Sequence, residues 1–324
     1  MLHIAIGPEL PQSSWDWVGF DLTRELSKYF EVEVFRGTVP ACDVALAVKQ
    51  LPSRWSTRLI YFPIDHYPHR QAIERDAHLL RNCTAIGCHS KRLMTFFEPL
   101  CKHVFYLDHH VRYRLIEPAP YKKEGYVLWV GAIQYVPYVL KWNQLYPLGT
   151  RLVILTNPWD SAGMAQARGL AARLRVMMHF GQNELNGHRL CVWSELRQLE
   201  LMQEAKAAID IKGGRWLGED DWSQRMKPAT KSQKFVSSAI PFAANPDSFC
   251  FEYFESRGFH LANPSDASRW FSYEYWQETF QQALALRAEL SLESIGCLVK
   301  SIIEQVMVCV PPTARWLRQG GGCR

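Results

Sequence analysis

Short, almost wholly apolar runs recur along this chain with stretches of helical periodicity between them, and nothing else in the sequence limits its fold so tightly. Residues 2–6, 31–35, 43–48, 59–62, 85–88 and 104–107 form a first series. A strand with one wet face alternates apolar and polar residues, whereas a strand covered on both faces has no need to. These runs therefore predict a parallel sheet with crossover helices on either side. After the first run, Trp15, Val18, Leu22, Leu26 and Tyr29 recur at helical spacing, and Ser13 with Asp16 has the form of a capping box.

The pattern then restarts. Residues 117–125 are polar and carry two prolines, as a linker does. Beyond them, 126–130, 151–155, 175–180, 207–211 and 241–244 read as a second series of strands, 194–206 and 232–238 as helices, and about 274–308 as helical. A chain of 324 residues exceeds the size at which one hydrophobic core keeps growing, roughly 250–300 residues. Two α/β domains follow: residues 1–118, residues 119–272, and a C-terminal helical segment with a tail over 273–324.

Composition excludes several classes. A charged fraction of 21% and an apolar fraction of 48% are those of a globular protein. There is no apolar stretch of about 18 residues to cross a membrane. Nine cysteines, scattered without metal-ligand spacing, read as reduced thiols in a cytoplasm. A net charge of +5 suits phosphate-bearing ligands or an anionic membrane surface, without the clustered basic residues of a nucleic-acid footprint. Trp270, Trp276, Arg315, Trp316 and Arg318 are the candidates for peripheral membrane contact.

The richest segment for chemistry is 227–242, where Lys227, Thr230 and Lys231 feed the N-terminus of a helix that leads into a strand. Free backbone N–H groups and the helix dipole attract phosphate at such a terminus, and the lysines add charge there. Lys212-Gly213-Gly214-Arg215 follows another strand, in the position where α/β proteins hold ligands. Its glycines allow close approach and its cations can neutralise a departing pyrophosphate.

These residues resemble the donor-site segment of GT-B glycosyltransferases, particularly the nucleotide-sugar family that includes glycogen synthase. Ala239-Ile240-Pro241-Phe242 is similar to that family's Gly-x-Pro turn, with alanine for glycine. Val127-Leu128-Trp129-Val130-Gly131 is similar to the opening strand and glycine of its second domain, and His179-Phe180-Gly181 to a strand-glycine pair near the nucleotide base. The resemblance implies two Rossmann-like domains facing a cleft, with C-terminal helices crossing back to the first. It further implies donor contacts at Gly131, Lys141, Gly181, Lys212, Gly213, Arg215, Lys227, Thr230, Lys231 and Lys234. One departure stands out: where the family carries an acid that holds the donor ribose, this chain has Lys234, which cannot accept a hydrogen bond. Asp210, Glu219 or Asp220 then become alternative holders of the sugar.

In the first half, Asp65 and His66 follow one strand and Asp108-His109-His110 another. A carboxylate or imidazole there can deprotonate an acceptor hydroxyl, so Asp65, His66 and His109 are the candidate catalytic residues. Adjacent histidines on an extended chain point apart, so no metal is expected. The dinucleotide glycine fingerprint, the P-loop and the hydrolase nucleophile elbow are all missing. The expected function is a metal-independent glycosyltransferase, retaining by resemblance, that needs no cofactor beyond its nucleotide-sugar donor. Its acceptor is a glycan, a lipid-linked group or a modified nucleic acid base. The alternative is a binding or partner protein that keeps the fold without catalysis.

Overall fold

The computed structural model describes residues 1–309 other than 12–13, 113, 160–163 and 219–221. Ser13, Glu219, Asp220 and the tail bearing Arg315, Trp316 and Arg318 thus lie outside the described residues. The chain divides into two compact units, Met1–Arg112 with the segment from Leu290 on, and Tyr113–Glu289. The expected linker, residues 117–125, falls within the second.

In the first unit, β1 (His3–Gly7) leads through a π-helical turn (Trp15–Phe20) into α1 (Asp21–Leu26). There follow β2 (Glu31–Val34), β3 (Val44–Val48), β4 (Arg58–Phe62), α2 (Arg70–Arg75), α3 (Ala77–Leu80), β5 (Ala85–Cys88), α4 (Lys91–Phe97) and β6 (Val104–Tyr106). The strands pair in parallel in the order β2-β1-β3-β4-β5-β6. All of β3 is buried, as its run of Val44, Ala45, Leu46, Ala47 and Val48 requires. The edge strand β2 instead alternates Glu31 and Glu33 with valines and is largely exposed, which discourages pairing with another chain.

The second unit repeats the scheme with β7 (Val127–Val130), α5 (Val136–Leu145), β8 (Leu152–Thr156), α6 (Met164–His179), β9 (Glu184–Leu185), β10 (His188–Val192), α7 (Glu195–Glu204) and β11 (Ala207–Asp210). It continues through α8 (Trp222–Arg225), α9 (Thr230–Ser237), β12 (Phe242–Ala244), α10 (Phe249–Glu255), α11 (Ala267–Trp270) and α12 (Tyr273–Glu289). Its order is β12-β11-β7-β8-β10-β9, parallel except for the short β9. The last helix, α13 (Leu292–Cys309), belongs to the first unit and packs on α1.

Two expectations are corrected. Residues 175–180 are not a strand: 175–179 end α6, whose Ala167, Ala171 and Leu174 are buried, and 180 follows it in a turn. Trp270 is no membrane anchor but lies fully buried, and the Trp276 indole donates to the Ala119 carbonyl at 2.9 Å. No helix of the described residues is long and apolar enough to cross a membrane.

The helix α9 is enclosed by β11 and β12 on one side and by α12 on the other. The buried Tyr275 hydroxyl of α12 donates to the Phe242 carbonyl at 2.8 Å and accepts from the Ala262 N–H at 3.0 Å, so its polar end is satisfied. At its C-terminus α9 closes with paired bonds, Ile240 N–H to Phe235 carbonyl at 3.0 Å and Ala239 N–H to Val236 carbonyl at 2.9 Å. This Schellman closure needs a left-handed residue, and Ala239 supplies it at φ 54.

Candidate functional site

In an open parallel sheet a crevice forms beyond the carboxyl ends of the strands where the order reverses. In the second unit that point lies between β7 and β11, and the residues just past these strands are Gly131 and Ile211-Lys212-Gly213. Asp210, the last residue of β11, sits between two ammonium groups: Lys212 Nζ is 2.9 Å from its Oδ2 and Lys231 Nζ 3.1 Å from its Oδ1. Lys231 comes from the first turn of α9, where Ala229 occupies the N-cap without a capping side chain.

Burial alone would raise the Asp210 pKa, but the charges of Lys212 and Lys231 overcome it and hold the carboxyl at about 2. Burial likewise lowers Lys212, and Asp210 reverses the effect so that its pKa is raised. Lys231 comes out the other way. Although a third of its side chain reaches solvent, burial together with the neighbouring Lys212 and Lys227 outweighs Asp210 and lowers it to about 8. The triad carries one net positive charge, with Lys227 held beside it over the Tyr135 ring at 5.7 Å.

A pocket opens beside Asp210 and Lys212, lined also by Gly213, Gln224, Arg225, Asn245, Asp247 and Ser248. Asn245 Oδ1 accepts the Lys212 N–H at 2.9 Å. That donor fixes which amide atom is oxygen, so Nδ2 is the donor end, and it is buried without a partner among the described residues. Cations and an unused N–H pair make a surface for anionic oxygens. Two glycines are required here. A Cβ on Gly131 would come within 2.5 Å of the Trp129 ring and 3.3 Å of Lys231 Nζ; one on Gly214, at φ +146, would come within 2.9 Å of Asp247 Oδ2.

The structure thus gathers Gly131, Lys212, Gly213, Lys227 and Lys231 of the sequence-based set, with Thr230 opening α9 beside them. Arg215 lies in a 3-10 turn (Arg215–Leu217), its side chain outside the described residues. Lys234 is one helical turn on, buried, its pKa lowered to about 8 by burial against the opposing charge of Glu195. Two residues stay outside the cluster. Lys141 is exposed along α5, and Gly181 follows α6 ahead of the β9–β10 hairpin, at the amino end of the sheet, because 175–179 is helix and not strand. Asp210, one of the alternative holders of the sugar, has both its oxygens engaged by lysines. Asn245 and Ser248 escaped the sequence reading, although the strand-end rule that selected Lys212 applies equally after β12.

In the first unit the strand ends carry neutral rings. Phe62, His89, His109 and Trp17 form a stack, with centroid separations of 6.2, 3.6 and 4.7 Å. Burial drives both imidazoles down, His89 to about 4 and His109 well below its ordinary value, where its histidine neighbours lower it further. The adjacent His110 turns away to Asp21, Nε2 to Oδ2 2.9 Å. Asp65 is exposed just past β4 with φ 47, and its charge reaches His89. His66 is half-buried, 3.9 Å from Asp76, and burial lowers its pKa against that carboxylate. His89 was missed because no motif marks it. The signal was its place directly after the run 85–88.

No known family model matches the sequence, and no curated protein matches it. Solved structures do. The fold is the two-domain Rossmann-like GT-B fold of glycosyltransferases. The chain superposes on AviGT4, a glycosyltransferase involved in avilamycin A biosynthesis, with a TM-score of 0.60 at 14% identity over 96% of this chain and 99% of that one. Sucrose-phosphate synthase from Thermosynechococcus elongatus gives 0.61 at 9% identity over 96% and 100%, and WaaG, a glycosyltransferase involved in lipopolysaccharide biosynthesis, 0.55 at 10% over 93% and 99%.

Proposed function

We propose that the protein is a cytoplasmic glycosyltransferase that moves a sugar from a nucleotide-sugar donor to a hydroxyl-bearing acceptor, without a metal ion. The observation that carries this reading is the Lys212–Asp210–Lys231 triad with the unpartnered Asn245 amide, at the strand-order reversal of a GT-B second domain. As the bond from the anomeric carbon to the diphosphate oxygen breaks, its electron pair stays on the diphosphate. Two ammonium groups already oriented by Asp210 stabilise that charge without reorganising. The acceptor oxygen forms the new bond and its proton passes to a base, for which exposed Asp65 is the candidate in the first unit. Retention at the anomeric carbon and transfer of a hexose are the finer form of the same proposal.

Thermal unfolding in the presence of UDP, GDP, ADP, CMP and dTDP tests it. A nucleotide at a hundred times its dissociation constant stabilises by about 2.7 kcal/mol, and Lys231→Gln weakens the effective nucleotide roughly ten- to a hundredfold through loss of a charge-assisted bond. No response to any nucleotide sinks the donor reading. One observation favours a second reading, a binding protein without catalysis. Lys234 places a buried ammonium where the resemblance implies a ribose-holding acid. Nucleotide binding with no turnover of any donor sugar, free or with acceptors, selects that reading.

A further inference from the structure

We infer that His89 is the hydroxyl-accepting group of a neutral-sugar subsite in the first unit. The inference rests on the glycosyltransferase reading for the role of the ligand as acceptor, and it names that ligand's chemical class. His89 follows β5 directly, and its Nδ1 lies 2.7 Å from the Leu107 carbonyl oxygen. A carbonyl only accepts, so Nδ1 carries the proton and Nε2 presents a bare lone pair. The ring is stacked on His109 at 3.6 Å and 17° and lies near Phe62 at 6.2 Å and 29°. One edge serves Leu107. The remaining edge, Nε2, is buried in a side chain only 5% exposed and has no partner among the described residues.

A buried acceptor left unmade costs about 1–3 kcal/mol, so its persistence in a packed stack calls for a ligand that completes it. The chemistry of that ligand follows from what surrounds the atom. Burial holds the ring neutral, and the charge that acts on it is the carboxylate of Asp65. Both offer lone pairs. A phosphate or carboxylate oxygen would bring lone pairs against them, whereas a sugar hydroxyl brings a hydrogen. The subsite therefore takes an uncharged sugar, and His89 acts as a positioning residue that orients the hydroxyl.

The test is long-range proton–nitrogen NMR of the full chain labelled at histidine nitrogen, with methyl glucosides, galactosides and mannosides and N-acetylglucosamine as probes, against glucose 6-phosphate and glucuronate. The free protein is expected to show His89 protonated at Nδ1, and one or more neutral sugars to move the Nε2 resonance while leaving Nδ1 in place. His89→Asn keeps a donor towards Leu107 but lacks the far nitrogen, and weakens sugar binding at least tenfold; His89→Gln, which brings an amide oxygen towards the Nε2 position, restores part of it. An Nε2-protonated tautomer, a resonance that no neutral sugar moves (a trapped water only), or a response to the anionic sugars alone overturns the inference. The nucleotide panel keeps the two readings apart. Nucleotide binding without any Nε2 response removes this subsite and leaves the donor reading, and the reverse result leaves a sugar-binding site and removes the transferase.

Discussion

The carboxyl ends of the two sheets solve the same topological problem with opposite chemistry. In the second unit the crevice is charged: a buried carboxylate is clamped by two lysines that pull its pKa down to about 2. In the first, the ends of β4, β5 and β6 carry a stack of aromatic and imidazole rings whose histidines are held neutral by burial. A buried charge is tolerable only when it is paired, while a neutral imidazole needs just one hydrogen bond and ring contacts. The comparison teaches that a shared backbone scheme leaves ligand class open, and that the charge state of the strand ends separates the anion proposed for one edge from the hydroxyl inferred for the other.

The sharpest way to break this contrast is to remove a single member from each edge. Asp210→Ala strands two ammonium groups, one of them largely buried, and is expected to cost about 3–5 kcal/mol of stability, the usual penalty for breaking a buried ion pair. His109→Phe keeps a flat ring between Trp17 and His89 but enlarges it, and is expected to cost about 1–3 kcal/mol, as modest overpacking of a core does. Chemical denaturation of both variants measures the difference. Equal losses refute the view that only the second unit's edge depends on charge compensation.

A smaller effect separates the edges by pH. Lys231 and Lys234 are lowered from 10.5 to about 8, so between pH 8 and 10.5 the unfolded chain binds protons the folded chain has released. Stability contributed there rises with pH, by at most about 1.4 kcal/mol per pH unit per group. His89, lowered from 6.5 to about 4, gives the same sign in a different window: stability falls as pH drops from 6.5 to 4. Lys234→Met is expected to flatten the alkaline rise and His89→Asn the acid fall. Diphosphate affinity runs against the alkaline trend, weakening above about pH 8 as Lys231 loses its proton. Urea midpoints across the pH range, with and without diphosphate, read all three.

How legible these features were depends on what each residue had to satisfy. Strands buried on both faces, such as Val44–Val48 and residues 152–155, announced themselves because buried positions there are filled by apolar side chains. Residues 175–180 were misread because Val176, Met177 and Met178 make an apolar run whose helical phase shows only when Ala167, Ala171 and Leu174 upstream are included. The strand His188–Val192 went unseen since it opens on two polar residues beside the β9 hairpin. For the site, the lysines of 212 and 231 could be read from the loop and helix start that bear them. Their common dependence on Asp210 could not, because it arises from residues brought together across β11 and α9.

The smallest expected effect concerns the scaffold under the charged edge. Ala239 stands where the resemblance implies glycine, and it occupies a left-handed conformation at φ 54 in the closure of α9. An L-residue with a Cβ is strained there by roughly 1–2 kcal/mol, partly offset because glycine leaves the unfolded chain freer. Ala239→Gly is therefore expected to stabilise the protein by up to about 1 kcal/mol. Since α9 carries Lys231 and Lys234, the gain should appear with the alkaline lysine window intact and with the acid histidine window of the first unit unchanged. A destabilised Ala239→Gly protein would mean that the alanine methyl makes packing contacts worth more than the strain it imposes, and that the fit of α9 between its sheet and α12 governs how firmly the charged edge is held.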